Sequence, residues 1–183
     1  SSGSVVAGAC VNAHVASYDA PVFGLRTKCT FVTVEPMGAM QQQEAKQQRY
    51  DLAYMRMAVE WAKLSHCQRK QVGALIVKDG MIIADGYNGT PSGFPNVCEN
   101  EEGETHWYVL HAEANAITKL AKSNNSAQGA TLYITLSPCR ECAKLIHQAG
   151  IIRVVYADAY KDPSGVTFLN QAGVQTVHLS NLS

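Results

Sequence analysis

Two short motifs in the chain carry the side chains most suited to metal chemistry. The segment "SPCRECAKL" places Cys139 and Cys142 in a C-x-x-C spacing, and the segment "VLHAEANAI" contains His111 and Glu113. The C-x-x-C spacing alone suits a redox dithiol, one corner of a structural zinc site, or half of a catalytic metal site. Because imidazole and thiolate are both zinc ligands, the question is whether the two motifs form one site.

Taken together, the motifs favour an open zinc site. His111, Cys139 and Cys142 supply one imidazole and two thiolates, which are three ligands of a tetrahedral zinc ion. The fourth position is then left to water, as in catalytic zinc sites. Glu113 lies two residues after His111, so we expect it to carry protons for that water rather than to bind the metal. Both motifs also lie at predicted helix N-termini, which favour thiolate over thiol.

Other interpretations remain open at this point. A redox pair of the thioredoxin type usually comes early in its domain and has no use for His111. A closed structural zinc requires a fourth Cys or His at a matching position. A non-catalytic, zinc-stabilised binding module leaves Glu113 without a role. The order H-x-E and then P-C-x-x-C resembles the signature of zinc-dependent nucleobase deaminases, which favours the catalytic site.

Hydrophobic periodicity and turn residues predict the elements that must position these side chains. Tyr50, Ala53, Met57 and Trp61 repeat at helical spacing. The residues "KDG" separate two apolar runs as a hairpin turn would, and the Gly-, Pro- and Asn-rich residues 89–107 predict a long loop. The predicted helices are 48–65, 112–122, 139–150 and 163–173, and the predicted strands are 72–77, 81–88, 130–136, 151–157 and 174–179.

This order of elements predicts a layered α/β domain. The early hairpin makes the sheet mixed, and the helix between the last two strands is long enough for a right-handed crossover, so those strands should be parallel. Helices that follow such connections begin at the same edge of the sheet. We therefore expect the two motifs to face one cavity.

Bulk composition excludes several classes of partner. Acidic and basic residues balance at 15 each, so the chain lacks the basic excess of a sequence-independent nucleic-acid binder. No apolar run approaches the length of a membrane span, and no signal peptide is recognised at the start of the sequence. We expect neither nucleic acid nor a membrane as a partner. Cysteines that cluster with histidines indicate metal binding in a reducing compartment, and hence the cytoplasm.

Residues 1–39 differ from the rest of the sequence. They begin with small Ser and Gly residues, contain scattered Pro, and show no helical period, whereas "MQQQEAKQQRYDLAYM" resembles a natural start with Met40 as initiator. We expect residues 1–39 to be an expression-derived leader or an appended peptide, and residues 40–183 to be a single catalytic domain. Cys10, His14 and Cys29 lie in this segment and are expected to have no functional role.

The segments "HAEANAI" and "TLSPCRECAKLIHQAGI" resemble the cytidine and deoxycytidylate deaminase superfamily, and the resemblance covers roughly residues 49–180. The segments "KQVGALIV" and "GYNGTPSGFPNVCE" are most similar to those of deoxycytidylate (dCMP) deaminases. The resemblance implies a three-layer sandwich with a mixed five-stranded sheet and helices on both faces. It also implies a hydrolase that acts on a cyclic amidine C–N bond and converts dCMP to dUMP for thymidylate synthesis. The alternative is a deaminase of another cytosine, guanine or adenine compound: a free nucleoside, a base or an RNA base.

The same resemblance implies roles at the reacting base. Glu113 would take the proton of the attacking water, protonate N3 of the cytosine, and deliver a proton to the departing ammonia. The Ala112 backbone and the Ser137 carbonyl would hold the edge of the pyrimidine.

Contacts to the rest of the nucleotide follow from family position only. Arg69, Asn88, Tyr160 and Lys161 are expected around the sugar and the 5′-phosphate. The forked donors of Arg69 suit a phosphate, and the Asn88 amide can donate to and accept from a sugar hydroxyl. The alternatives are a solvated loop charge for Arg69 and Lys161 and plain packing for Tyr160.

Two further features are implied by the resemblance. A second, structural zinc is expected at Cys67, Cys98 and His106, with His66 or Glu102 as a fourth ligand; the alternative is a buried free Cys67 and an exposed loop. Relatives are often homo-oligomers, hexamers among them, and are often allosteric. In those proteins dCTP activates and dTTP inhibits, with Mg²⁺ accompanying the triphosphate, and "GYNGTPSG" lies in the region that the effectors touch.

Overall fold

The computed structural model describes residues 13–22, 25–34 and 38–180, with side chains described for 38–180. The chain divides after Gln47 into two compact units. In the first, strands β1 (Ala13–Val22) and β2 (Leu25–Val34) form an antiparallel hairpin in which Ala13 pairs with Val34 and Val22 with Leu25. The sequence pattern predicts no element in this segment. Cys10 and the side chains of His14 and Cys29 lie outside the described part of the chain.

The second unit is built on a five-stranded mixed sheet. Its strands follow the order β4-β3-β5-β6-β7. The pairs β4–β3 and β3–β5 are antiparallel, whereas β5–β6 and β6–β7 are parallel. The predicted mixed sheet and the parallel pairing of the last two strands are confirmed. The strand bounds are β3 Gly73–Lys78, β4 Met81–Tyr87, β5 Thr131–Leu136, β6 Arg153–Asp158 and β7 Gln175–His178.

Helices cover both faces of this sheet, which gives the predicted three-layer sandwich. Successive residues of β3 point to opposite faces, so Leu75 packs with α1 residues such as Met55, while Ile76 belongs to the cluster that contains α2, α3 and α4 residues. The helix bounds are α1 Ala39–Ala62, α2 Ala112–Leu120, α3 Arg140–Gln148 and α4 Ser164–Gln171.

Helix α1 begins at Ala39, nine residues before the predicted start at 48. The extra residues are mostly Gln, Glu, Ala and Lys, which are good helix formers. All of them are exposed, so they carry no apolar period from which a helix could be predicted.

No helix among the described residues is long and apolar enough to span a membrane.

A buried ion pair fixes α1 to the sheet. Arg153 on β6 donates two hydrogen bonds to the carboxylate of Asp51, at 2.8 and 2.6 Å, and the Tyr133 hydroxyl donates a third at 2.8 Å. Only 5% of the Asp51 side chain and 15% of the Arg153 side chain is exposed. The pair therefore joins three elements in a site where solvent screens it little.

The predicted loop 89–107 lacks regular structure but is held at several points. Isolated β-bridges join Gly89 to Leu110 and Glu99 to Thr105. The Glu99 carboxylate also accepts hydrogen bonds from the backbone N–H groups of Gln68 and Arg69, at 3.1–3.2 Å. These contacts place the loop over the edge of the sheet where α2 begins.

Candidate active site

The two metal-binding motifs occupy the N-termini of α2 and α3. His111 is the N-cap residue of α2 and Cys139 is the N-cap residue of α3, both with extended backbone and neither with a side-chain capping hydrogen bond. Their side chains are therefore free to point away from their own helices. A Cβ atom at Gly86 of β4 would overlap the backbone of Ala112 and Ala116, so only glycine allows α2 to pack this closely on the sheet.

His111, Cys139 and Cys142, which we call the zinc set, converge on one point. His111 Nδ1 lies 3.6 Å from Cys139 Sγ and 3.5 Å from Cys142 Sγ, and all three ligand atoms lie within 4.8 Å of one another. Zinc–ligand bond lengths in a tetrahedral site place a nitrogen and a sulfur ligand about 3.5 Å apart. The donor set thus fits a zinc ion without rearrangement and leaves one coordination position open.

The charges of the zinc set also favour a cation. Hydrogen bonds from the Cys142 thiol and from His111 lower the pKa of Cys139 to about 3. The neighbouring Cys139 thiolate and burial raise the pKa of Cys142. A hydrogen bond to Cys139 raises the pKa of His111. Two thiolates are therefore unfavourable at this distance unless a positive ion lies between them, which is what a divalent metal provides.

Glu113 lies beside this set and is almost completely buried, with 3% of its surface exposed. Burial raises the pKa of its carboxyl group, because the ionised form loses its hydration. A carboxyl group with a raised pKa can hold and release a proton near neutral pH, as a general acid and base must.

A cavity of about 260 Å³ opens above the zinc set. It includes most of the residues expected at the substrate: Arg69, Asn88, Ala112, Ser137 and Tyr160. It also includes Cys67, expected at a second zinc, and residues that the sequence does not single out, namely Lys70, Val72, Glu99, Thr105, Val109 and Leu136.

Ser137 and Tyr160 are fixed to each other at the rim of this cavity. The Tyr160 backbone N–H donates to Ser137 Oγ at 2.8 Å, and the Ser137 N–H donates to the Asp158 carbonyl at 2.8 Å. The end of β6 therefore sets the position of the segment that leads from β5 to Cys139.

Asn88 has contacts in addition to the one expected with the sugar. Its Nδ2 donates to the Lys70 carbonyl and its Oδ1 accepts from the Val72 N–H, both at 2.8 Å. The side chain thus clamps the backbone of residues 70–72, which form one wall of the cavity. The Asn88 Nδ2 can still donate one further hydrogen bond toward the cavity, and its Oδ1 can still accept one.

The sequence family described as the cytidine and deoxycytidylate deaminase zinc-binding region matches residues 48–158. The chain belongs to this deaminase family. The match contains the whole zinc set and Glu113, so the redox-dithiol interpretation of the C-x-x-C motif is set aside. Tyr160 and Lys161 lie just beyond the matched residues.

Named relatives agree with this membership. The chain is 34% identical to deoxycytidylate deaminase of Enterobacteria phage T4 over 158 residues, which cover 63% of this chain and 82% of that protein. It is 39% identical to the deoxycytidylate deaminase of Homo sapiens over 134 residues, covering 66% and 74%. The crystal structure of dCMP deaminase from cyanophage S-TIM5 in complex with dCMP and dUMP superposes with a TM-score of 0.68 and 48% identity, covering 69% of this chain and 94% of that one.

Lys161 is the expected nucleotide contact that this deaminase does not bring into the cavity. It is exposed and is absent from the cavity lining, whereas Lys70 belongs to it. Lys70 is adjacent to Arg69 in sequence, but residue type and spacing alone cannot distinguish a cation that faces a cavity from one that faces solvent.

The structure also departs from the second zinc site expected for this deaminase. The sulfurs of Cys67 and Cys98 are bonded to each other as a disulfide, with Cα atoms 5.1 Å apart. Neither sulfur is then a thiolate that could bind a metal. Within residues 38–180, His106, His66 and Glu102 form no convergent group of metal-binding side chains, whereas the zinc set does.

Proposed function

We propose that this chain catalyses the hydrolytic deamination of dCMP to dUMP with release of ammonia, and so supplies thymidylate synthesis. The observation that carries the proposal is the convergence of three zinc ligands beside a buried carboxyl group at the floor of a cavity. Two cationic side chains, Arg69 and Lys70, line the same cavity and suit a phosphate. The deoxycytidylate deaminases among its relatives support the choice of dCMP over other deaminase substrates.

The zinc set would hold the ion that activates the attacking water. When bound by His111, Cys139 and Cys142, zinc lowers the pKa of a water molecule so that hydroxide forms near neutral pH. The fold fixes the positions of the ligands, because His111 and Cys139 are the N-cap residues of two helices that pack on the sheet. A Cβ atom at Gly165 of α4 would overlap the Pro138 carbonyl and lie 2.8–2.9 Å from the Cys139 carbonyl group, so α4 directly supports one ligand.

Glu113 performs the proton transfers. It accepts a proton from the water that attacks C4 of the cytosine and gives that proton to N3. It then transfers a second proton, from the hydroxyl group now on C4, to the amino group, which leaves as ammonia. Water thus supplies the oxygen of the product, the proton on N3 and the third hydrogen of the ammonia, and Glu113 returns to its starting state.

The base and the sugar–phosphate end would be held by different walls of the cavity. The N-terminal residue of α2, Ala112, and the carbonyl of Ser137 hold the pyrimidine edge. Asn88 and Tyr160 face the sugar, and Arg69 faces the 5′-phosphate. A single zinc site and a single substrate cavity then account for the whole reaction.

A direct comparison of substrates tests this proposal. Ammonia release is measured from dCMP, deoxycytidine, cytosine and guanine with the zinc-loaded chain. We expect the highest kcat/KM for dCMP. A higher kcat/KM for any of the other compounds would support the alternative of a different deaminase within the family.

Regulation by dCTP and dTTP with Mg²⁺ rests on the family resemblance. A separate cavity of about 470 Å³ is lined by Thr90, Ser92 and Asn115, at the "GYNGTPSG" loop expected to touch such effectors. We expect a sigmoidal dependence of rate on dCMP that becomes hyperbolic with Mg²⁺–dCTP. A hyperbolic curve without dCTP argues against this regulation.

Assembly and location complete the proposal. We expect a homo-oligomer, with a hexamer among the expected forms, and light scattering of the purified chain measures its size. We expect a cytoplasmic location because metal-binding thiols suit a reducing compartment. The disulfide between Cys67 and Cys98 is unusual for such a compartment. Residues 1–39 are proposed to be an expression-derived leader or an appended peptide. A native protein whose mass corresponds to a start at Met40 would support this, and a start upstream of Met40 would contradict it. Because Cys67 and Cys98 are joined in a disulfide, we expect zinc counting to give one zinc per chain, and two per chain would support a second zinc at Cys67, Cys98 and His106.

A further inference from the structure

Lys70 is a cation of the cavity wall that is not among the residues the family resemblance places around the nucleotide. It lies beside Arg69 in sequence, and both residues line the cavity above the zinc set. Lys161, the lysine expected at the phosphate, is absent from that lining. The wall that contains Lys70 therefore presents two adjacent positive charges to the cavity.

The backbone beneath these two cations is held firmly. Asn88 bonds to the Lys70 carbonyl and to the Val72 N–H, each at 2.8 Å. Glu99 accepts hydrogen bonds from the Gln68 and Arg69 N–H groups, at 3.1–3.2 Å. Four of the five backbone positions from 68 to 72 are thus fixed by two side chains that themselves line the cavity. Such preorganisation lowers the entropy cost of binding a ligand.

The Lys70 ammonium group, by contrast, is held loosely. It lies 3.0 Å from Asp158 Oδ2, in an ion pair whose side chains are 53% and 62% exposed. Exposed ion pairs contribute little to stability because solvent screens them and both side chains lose freedom. A stronger anion that enters the cavity can therefore displace Asp158 from Lys70 at little cost.

We propose that Lys70 is a specificity-determining residue that selects a 5′-monophosphate over the free nucleoside by exchanging Asp158 for the phosphate. This inference rests on the proposed function. A phosphate monoester carries a charge of about −1.5 to −2 at neutral pH, so it attracts the ammonium group more strongly than the single charge of Asp158 does. Arg69 supplies forked donors and Lys70 a compact point charge, which together suit a terminal phosphate.

The test compares substrates that differ only in the phosphate. The zinc-loaded full chain and its Lys70→Gln variant are assayed with dCMP and with deoxycytidine. We expect Lys70→Gln to lower kcat/KM for dCMP roughly 10- to 100-fold, as for loss of a charged hydrogen bond, and to change that for deoxycytidine by less than about twofold. The ratio of the dissociation constants of dUMP and deoxyuridine, measured with the same two proteins, reports the preference for the phosphate without turnover.

Two further variants sharpen this test. Lys144→Gln removes a lysine of similar exposure that pairs with Glu141 at 2.6 Å on the surface of α3, and it should leave the dCMP to deoxycytidine ratio unchanged. Asp158→Asn removes the competitor for Lys70 and should lower KM for dCMP. A rise in that KM would show that the ion pair acts as a structural unit, which would overturn the exchange.

The outcomes separate this inference from the function on which it rests. If the unmodified chain does not prefer dCMP, the proposed function fails. If it prefers dCMP and Lys70→Gln lowers kcat/KM equally for dCMP and deoxycytidine, or for neither, Lys70 does not select the phosphate and this inference alone fails.

Discussion

Nδ1 of His111 lies 3.5 Å from Sγ of Cys142, although the two residues are separated by a helix, a strand and 31 positions in sequence. This is the distance that two ligands on one zinc ion require. The N-termini of two helices therefore meet at the sheet edge and form one metal site. Zinc binding there requires all three ligands.

Replacing Cys142 with Ser should remove most of the bound zinc, because serine is a poor zinc ligand and the remaining two ligands cannot hold the ion. We expect zinc content below about 0.2 per chain after dialysis, since structural and catalytic zinc sites of proteins use three or more protein ligands. Atomic emission measures the zinc content. Ser123→Ala, after the end of α2 and outside the zinc set, is the control. Full zinc content in Cys142→Ser would contradict the assignment of this ligand.

Replacing Gly165 with Ala should disturb the zinc set, because Gly165 on α4 packs against the backbone at the start of α3. The added methyl group would overlap the Pro138 carbonyl and press on the Cys139 backbone, which carries a zinc ligand. We expect a loss of about 1–3 kcal/mol in the free energy of unfolding, as for overpacking, together with weaker zinc binding. Thermal melting and competition with a chelator measure the two effects. Gly38→Ala, where a Cβ atom meets no neighbour, is the matched control, and equal behaviour of the two variants would refute the role of this contact.

Much of this architecture could be predicted from the sequence. The strands and the helices α2, α3 and α4 match their predicted bounds within about three residues, because their apolar periods and their Gly stops are strong signals. The zinc set and Glu113 can also be predicted from the sequence, because the two motifs taken together have few chemical interpretations. The first part of α1, residues 39–47, cannot be predicted in this way, because a fully exposed helix has no apolar face.

The cavity wall shows where sequence reasoning ends. The choice between Lys70 and Lys161 depends on the direction in which a loop side chain points, and no local pattern encodes that direction. The clamp of Asn88 on residues 70–72 and the pairing of Cys67 with Cys98 are long-range contacts of the same kind. They become visible only when the fold brings the two loops together.

Acid should reveal the role of Asp85, which accepts hydrogen bonds from Lys119 and Trp61 at 2.7 Å each. Burial alone would raise the pKa of Asp85, but the two hydrogen bonds outweigh it and lower that pKa below 3.8. A lowered folded-state pKa means that the stabilisation is present above the unfolded-state pKa and is lost as the pH falls through the folded-state pKa.

Asp85→Asn should therefore reduce the free energy of unfolding at pH 7 by at most about 1 kcal/mol, because solvent screens this partly exposed group. The difference from the unmodified chain should vanish in strong acid. Urea unfolding across pH measures it, with Asp79→Asn in the exposed β3–β4 turn as the control. A difference that persists unchanged in acid would show that ionisation of Asp85 is not its source.

The buried pair of Asp51 and Arg153 should contribute to stability rather than to catalysis. Arg153→Met removes both guanidinium hydrogen bonds and leaves a buried carboxylate without its cation. We expect a loss of about 3–5 kcal/mol in the free energy of unfolding, with kcat unchanged for the folded protein. Arg140→Met, which alters an exposed pair, should have an effect near zero. A small effect of Arg153→Met would show that the pair is not a determinant of stability.

Glu113→Ala tests the central claim most directly. The variant and the unmodified chain are brought to equal zinc content, and ammonia release from saturating dCMP is measured for both. Glu141→Ala, an exposed carboxylate next to Cys142 in sequence, serves as the control. The account predicts full zinc binding in Glu113→Ala and a loss of about 100- to 10,000-fold in kcat, the range for a general acid and base. Undiminished deamination by Glu113→Ala at equal zinc content would contradict it.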